Sequence, residues 1–423
     1  MPETAADVAA ILREASARGI PVTVGGAGTG VTGGRVPSEG WAVSLEKLRR
    51  LEVRDGCAIA GAGVSLLDLQ AAAARTRQFY PPDPTERTAS VGGSIATNAS
   101  GSRSYRYGST RQWIEALTVA FIDGRIAEYQ RGDDIDFDVP EIPVPRTTKN
   151  TAGYPLRPGM EWIDLIAGSE GTLAVVVEAE LRLLPVPDEL LSGVIFFPND
   201  DAALEAIDSW RALETLRMME YFDRNSLAFL RQRYSEVPEH AAAAVLIEQI
   251  GDDTGPWERY AEADSWFAFS DADRERFRAF RHALPEMVND LMRRRGFLKL
   301  GSDYAVPIDR NREMLRLYHD RLRNAGLDYV IFGHIGDAHV HVNILPRSAE
   351  QFEGGKQLML DFARAAVAFG GTVSAEHGLG KRKSNLLPLQ YTAAEIDAMK
   401  DVKRRLDPQW LLGRGNIFGE WLP

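Results

Sequence analysis

Residues 88–108, TASVGGSIATNASGSRSYRYG, constrain this chain more than any other stretch. Four glycines lie between Val91 and Gly108, and Ser, Thr and Asn fill most of the gaps. The stretch has neither a helical nor a strand period, yet Val91, Ile95 and Ala96 are too apolar for a disordered linker. Glycine lets backbone N–H groups approach an anion, and Ser, Thr and Asn add neutral donors. Such a loop suits a pyrophosphate; taken alone, it fits an ordinary buried turn equally well.

A second stretch upstream tips that balance. Pro21–Val24 reads as a short strand, followed by Gly25-Gly26-Ala27-Gly28-Thr29-Gly30-Val31-Thr32-Gly33-Gly34. Gly28, Gly30 and Gly33 satisfy the dinucleotide fingerprint literally, with Glu46 where a ribose-binding acid would sit. That fingerprint must open a helix, however, and residues 31–37 are Gly-, Val- and Pro-rich, a poor helix start. Two non-helical glycine loops point to a phosphate gripped by loops and not by a helix dipole.

These loops, with PPDPTERTASVGGSIATNASGSRSYRYGSTRQWI, KNTAGYPL and AGSEGTLAVVVEAELRLLP, resemble the FAD-linked oxidase superfamily typified by vanillyl-alcohol oxidase. The nearest branch is the D-2-hydroxyacid dehydrogenases: D-lactate, glycolate and D-2-hydroxyglutarate dehydrogenases. The resemblance runs from about Thr4 to the C-terminus and implies an α+β, two-domain flavoprotein. Residues 1–187 would bind FAD, 188–370 would form a substrate cap with an antiparallel sheet, and 371–423 would return to the first domain. The implied flavin contacts are Gly25, Gly26, Ala27, Gly28, Thr29, Gly30 and Gly33 in the first loop. Pro82, Gly92, Gly93, Ala96, Asn98, Gly101 and Gly108 follow in the second, then Glu170, Gly171 and Val176. Gly413-Arg414-Gly415-Asn416 stands where the family has an Asn-Pro-Gly-Lys turn, which makes Asn416 the last contact.

Composition narrows the partners. An excess of 60 acidic over 49 basic residues gives a net charge of −11, which disfavours nucleic acid and anionic membrane. The one cysteine, Cys57, excludes an internal disulfide and a cysteine-ligated iron–sulfur cluster. No basic-then-apolar leader opens the chain, and no run approaches the roughly 20 apolar residues of a membrane span. A cytoplasmic location is expected.

In chain order, residues 5–18 read as a helix capped by Thr4 with Asp7, Cys57–Gly63 as a strand and Ser65–Arg77 as a helix. Arg111–Phe121 and Gly124–Gln130 read as strands around an Asp123-Gly124 turn. Residues 131–146, acidic and Pro-rich, read as a surface excursion. Leu173–Leu184 is a strand ending at Pro185-Val186-Pro187, the expected domain boundary. Beyond it, Leu191–Phe197, Asp201–Ala212, Ala241–Ile250, Asp271–His282, Asn311–Ala325 and Tyr329–Phe332 alternate strand and helix. They predict an antiparallel sheet with helices on one face.

Five of the seven histidines follow residue 300, four of them in two short segments. If Gly336-Asp337 is a two-residue hairpin tip, His334 pairs across it with His339. Alternation then sets His334, His339, His341 and Asn343 on one face. Imidazoles clustered this way are natural around a metal, although separate hydrogen-bonded histidines on a sheet remain the plainer alternative. The second segment, Glu376-His377, offers two neighbouring groups that point apart. The resemblance implies His334, His341 and Glu376 as ligands of a divalent metal, Asn343 as a substrate contact and His377 as general base. Two His and a carboxylate suit zinc, with manganese or iron open.

His339 stands where the family has an amide. It could add a ligand, support one from behind or alter which substrate fits; we favour support from behind and count it with the substrate-facing residues. Arg281 occupies the family's carboxylate-anchor position, and Lys299 is a second candidate. No histidine precedes His240 and Cys57 lies outside both loops, so the FAD is expected to be non-covalent. The resemblance implies FAD-dependent oxidation of a small D-2-hydroxy carboxylate. The expected acceptor is external: an electron-transfer flavoprotein, an iron–sulfur subunit or a quinone. An oxygen-using oxidase and an FAD subunit of a larger complex are the alternatives. A homodimer is compatible with the sequence, which does not fix the oligomeric state.

Overall fold

The computed structural model describes residues 1–261 and 264–419. Its first sheet has five antiparallel strands in the order Leu51–Arg54, Cys57–Gly61, Val175–Arg182, Ile114–Ala120 and Ile126–Gln130. Val175–Arg182 is central because both its faces are apolar at the start. Val175 and Val177 pack on Val8 and Leu12 of helix Ala5–Arg18, while Val176 and Ala179 enter the larger core. That helix begins at the expected capping box, Thr4 with Asp7.

A parallel pair, Val22–Gly25 with Trp41–Ser44, carries the first glycine loop. The C-terminal segment closes onto it. Val22 N–H donates to Leu411 O at 2.8 Å, and Gly413 N–H to Val22 O at 2.9 Å.

The second sheet has seven antiparallel strands, ordered Trp266–Ala268, Leu190–Phe197, Ala243–Ile250, Leu216–Asp223, Tyr329–His334, His339–Ile344 and Leu300–Gly301. Helices cover both of its faces, not one. Asp200–Trp210, Asn311–Asn324 and Ala349–Ala368 pack on Ile195, Val245, Ile331 and Val342. Asp271–Arg295 lays Phe277, Phe280, Leu284 and Val288 on the opposite face against Val194, Phe196, Phe222 and Leu246. That helix runs 13 residues past the expected His282 end, straight through Pro285. Proline there forfeits one bond to the Arg281 carbonyl. The apolar face that continues to Met292 outweighs the loss.

The sequence reading also missed strand Leu216–Asp223, whose apolar run is broken by a buried Glu220, and helix Ala349–Ala368. It expected a non-helical second glycine loop. Instead, Val91–Ala96 is a short helix capped by the Ser90 hydroxyl, and Ser104–Tyr107 is another single turn. A cap and a packed apolar face at Val91 and Ile95 override the low helix propensity of Gly92-Gly93. The first loop is irregular, as expected. Residues 131–146 are irregular too, but pinned: Ile142 N–H donates to Leu156 O at 3.2 Å and Arg146 N–H to Gly370 O at 3.0 Å.

Candidate active site

The two glycine loops meet at Ser90. Its hydroxyl accepts from Gly93 N–H and Ala27 N–H, each at 3.3 Å. A Cβ on Gly26 would collide with that hydroxyl, so the position requires glycine. The turn at Gly168–Gly171 docks beneath the short helix, with Gly168 N–H donating to Ile95 O and Glu170 N–H to Ala96 O. Glu170 is buried at a left-handed φ of 54°, and its carboxylate accepts from Leu379 N–H and Gly380 N–H at 2.7 Å each. Burial pushes its carboxyl up to about 7, against the pull of those two amides. Asn416 donates to Gly34 O and Glu170 O, while its Oδ1 is buried with no partner.

The structure thus gathers Gly25–Gly33, Gly92, Gly93, Ala96, Glu170, Gly171 and Asn416 around one region. Backbone N–H groups and an unmet amide oxygen fit a polar cofactor there. Asn98 follows the short helix, Gly101 passes beneath Asp83 O, Pro82 is buried beside it, and Gly108 caps Ser104–Tyr107. Val176 is an exception: it is a core residue opposite Val119.

The histidine hairpin forms in the expected register, His334 opposite His339. Its tip is a four-residue turn through Ile335–Asp337 with Ala338 left-handed, and not a two-residue one. Alternation brings Glu220, His334, His339, His341 and Asn343 onto the face that helix Asp271–Arg295 covers farther along. Glu376 enters this face from the returning segment. Its Oε1 lies 3.3 Å from His334 Nε2, 3.4 Å from His341 Nε2 and 3.6 Å from His377 Nε2. Ser100 Oγ and Lys149 Nζ donate to its Oε2 at 3.1 and 3.4 Å.

Burial opposes the charge of Glu376, but His334 and Lys149 outweigh it and hold the carboxyl well below its usual range. Lys149, itself buried, also pairs with Asp337 at 3.3 Å. One ligand atom each from His334, His339, His341 and Glu376 lie within 4.8 Å of one another. Neutral imidazoles and a carboxylate at this spacing fit a divalent ion.

Two buried acids absent from the sequence reading hold these histidines. Asp303 Oδ1 lies 3.1 Å from His339 Nε2 and 3.2 Å from His377 Nδ1. Its Oδ2 accepts from His377 N–H at 2.9 Å and Ser374 Oγ–H at 2.9 Å. Burial pulls His377 below its ordinary value despite Asp303, and pulls His339 down to about 3. Both are neutral at pH 7.

Glu220 bonds His334 Nδ1 through Oε1 and accepts from Arg281 Nε through Oε2 at 2.7 Å. Arg281 continues to Thr85 Oγ1 at 3.2 Å. Arg281 therefore reaches the cluster through Glu220 and not directly. Lys299 leads into Leu300–Gly301, where Gly301 faces Asn343, and burial alone lowers its pKa. The Glu interrupting Met218-Met219-Glu220-Tyr221-Phe222 was the legible signal for the first acid. Asp303, in an irregular Ser302-Asp303-Tyr304 stretch, gave none.

Arg103 welds the second loop to the cap. It pairs with Glu248 at 2.8 Å and Asp83 at 3.2 Å, and Arg217 reaches the same Glu248 at 2.8 Å.

Against known families, residues 1–130 match the FAD binding domain, and residues 186–417 match the FAD linked oxidases, C-terminal domain. The chain is 31% identical to a D-lactate dehydrogenase of Archaeoglobus fulgidus, over 98% of this chain and 90% of that one. It is 30% identical to a D-2-hydroxyglutarate dehydrogenase of Xanthomonas citri, over 99% and 88%. In fold it is similar to an alkyldihydroxyacetonephosphate synthase (TM-score 0.69, 15% identity, 97% of this chain and 74% of that one). The second family match alone spans more than half of the chain, and the two matches meet on the loops and histidine cluster described above. The chain belongs to the FAD linked oxidases.

Proposed function

We propose that this chain oxidises a D-2-hydroxy acid to the 2-oxo acid, using dissociable FAD and a divalent metal, and passes electrons to an external acceptor. The observation that carries the reading is Glu376 Oε1 with three imidazoles around it, beside a His377 that burial keeps neutral. The similarity to D-lactate and D-2-hydroxyglutarate dehydrogenases supports the substrate class.

Bound FAD supplies the hydride acceptor, and a bound ion, zinc by its donor set, supplies the Lewis acid. His334, His341 and Glu376 would hold the ion. His339, tied to Asp303, supports them from behind. His377 Nε2 takes the hydroxyl proton, while Asp303 fixes its ring through Nδ1, the arrangement of an oriented general base. Asn343 faces the substrate. For the carboxylate, Arg281 has Nη2 left over after Glu220 and Thr85 take its other nitrogens, and Lys299 has no bonded partner among the described residues. The chain divides, in this reading, at residues 187 and 370.

Anaerobic mixing of the yellow protein with D- and L-2-hydroxy acids tests this. Bleaching by D-lactate, D-2-hydroxyglutarate or glycolate, and not by L-isomers, is expected. A flavin that none of them bleaches contradicts the proposal, and fast reoxidation by air would make the protein an oxidase. Acid precipitation should leave the yellow colour in the supernatant, because Cys57 sits in a strand opposite Arg182 and no histidine precedes His240.

A further inference from the structure

The two glycine-rich segments meet at Ser90 but spend their amides differently. In the second, Val91, Gly92 and Gly93 N–H donate to Val64 O, Ala62 O and Ser90 Oγ. Thr97, Asn98 and Ala99 N–H then close the short helix, through Gly93 O, Ile95 O and Ser94 O. In the first, among the described residues, the N–H groups of residues 28–35 meet no protein acceptor, and donation resumes at Val36, to Gly33 O. Water satisfies such amides in an open loop, but an anion can engage several of them at once. A Cβ on Gly30 would meet nothing within 4 Å, so the loop has room before it.

Arg35 brings charge to this loop. A Cβ built on Gly28, whose φ is +80°, would lie 2.0 Å from both Cζ and Nη1 of Arg35 and 2.4 Å from its Nη2. Glycine at 28 thus leaves that space to the guanidinium, which lies against the backbone of the unspent amides. The neighbouring cations are committed elsewhere. Lys381 Nζ donates to Val36 O, Arg382 Nη1 to Val31 O at 3.3 Å, and Arg414 pairs with Glu39 at 2.6 Å. Glu39 is the only acid in residues 28–39. Arg35 itself has no hydrogen bond or ion pair among the described residues.

We infer that Arg35 binds the diphosphate of FAD, supplying the positive charge that an irregular loop, lacking a helix dipole, does not have. The inference rests on the chain's place in an FAD-binding family and adds a side-chain ligand to the loop amides. A guanidinium suits this ligand because its planar N–H fork meets two phosphate oxygens at once.

FAD retention by the holoprotein tests the inference, read from the recovery of flavin fluorescence on dilution. At about 20 mM salt, Arg35→Gln should raise the Kd for FAD at least about tenfold, the scale of one charge-assisted bond to a phosphate. At about 1 M salt the gap should shrink to roughly threefold or less, because salt screens an exposed ion pair. Arg35→Lys should recover part of the loss, since it restores the charge but not the fork. Arg35 is exposed, so both variants should fold, and an unchanged thermal midpoint without FAD checks this. Equal FAD retention by parent and Arg35→Gln at low salt would overturn the inference. So would a loss of the same size at both salt concentrations, which would make Arg35 a prop of the loop and not a phosphate ligand. A parent protein that holds no FAD at all would contradict the flavin reading as well.

Discussion

The two ends of the cap sheet carry polar clusters of opposite make-up. At the end facing the glycine loops, Asp303 has both oxygens bonded, and Glu376 is met by imidazoles on one oxygen and by Lys149 and Ser100 on the other. At the far end, Asp223 and His319 each leave a buried atom unmet. Low local dielectric makes both arrangements consequential. The first cluster also leaves one atom unmet, His339 Nδ1, but its bonded carboxylates fix the imidazoles around them, whereas at the far end Asp223 is held through one oxygen alone. Substitutions at the first end should therefore damage chemistry or metal retention, and those at the second should alter stability.

The largest effect is expected at His377. His377→Asn should slow flavin reduction by about 10²–10⁴-fold while metal content stays, since loss of a general base removes roughly 3–5 kcal/mol of barrier lowering. In the parent protein the reduction rate should rise with pH through one ionisation. Burial disfavours imidazolium, so that step lies below the ordinary histidine value, and it should vanish in the variant. Metal lost from His377→Asn but kept in Glu376→Gln would mean that the two neighbours have exchanged roles.

Next comes the acid behind His334. Glu220→Gln should weaken metal binding by about 10–100-fold, read by competition with a chelating dye, because the carboxylate fixes the ring's tautomer and direction. Equal affinity in the variant would leave Glu220 as packing only. His339→Asn, which restores the family's amide, should by contrast retain the metal.

The smallest effect separates the two ends by pH. Asp223 is held up at about 6 by burial, although His319 and the Ser226 bonds oppose this. A carboxyl at that value in the folded chain and near 3.9 in the unfolded one binds more protons folded. Stability therefore falls as pH rises between those values and stays lower above. Asp223→Asn should raise the thermal midpoint at pH 8, by the equivalent of about 1 kcal/mol once solvent screening is allowed for, and not at pH 4. The same gain at both pH values would contradict the account of the unmet carboxylate.

Much of the histidine cluster was legible before the fold was known, and the far end was not. Histidines at alternating positions on a hairpin announce themselves, because strand period and side-chain type coincide at His334, His339 and His341. The close approach of the two glycine-rich segments was legible, but not the Ser90-capped helix inside one of them, since a cap and packing overrode propensity there. Asp303 lies in an irregular stretch and acts from 71 residues before Ser374, so no local period marks it. Pro185-Val186-Pro187 was a clear stop, whereas Pro285 was a false one, outweighed by the buried face of its helix. Asp200, Asp223 and His319 come from three separate elements and meet only in the folded sheet.

The central claim is that the cluster around Glu376 does its work through a bound metal while the flavin sits apart from it. The direct test is to strip the metal with a chelator, verify its loss by elemental analysis, and mix the protein anaerobically with the D-2-hydroxy acid that bleaches the untreated enzyme. The flavin spectrum should persist nearly unchanged and the substrate should fail to bleach it, with reduction restored by zinc or manganese. Bleaching at the untreated rate in protein free of metal would contradict the claim.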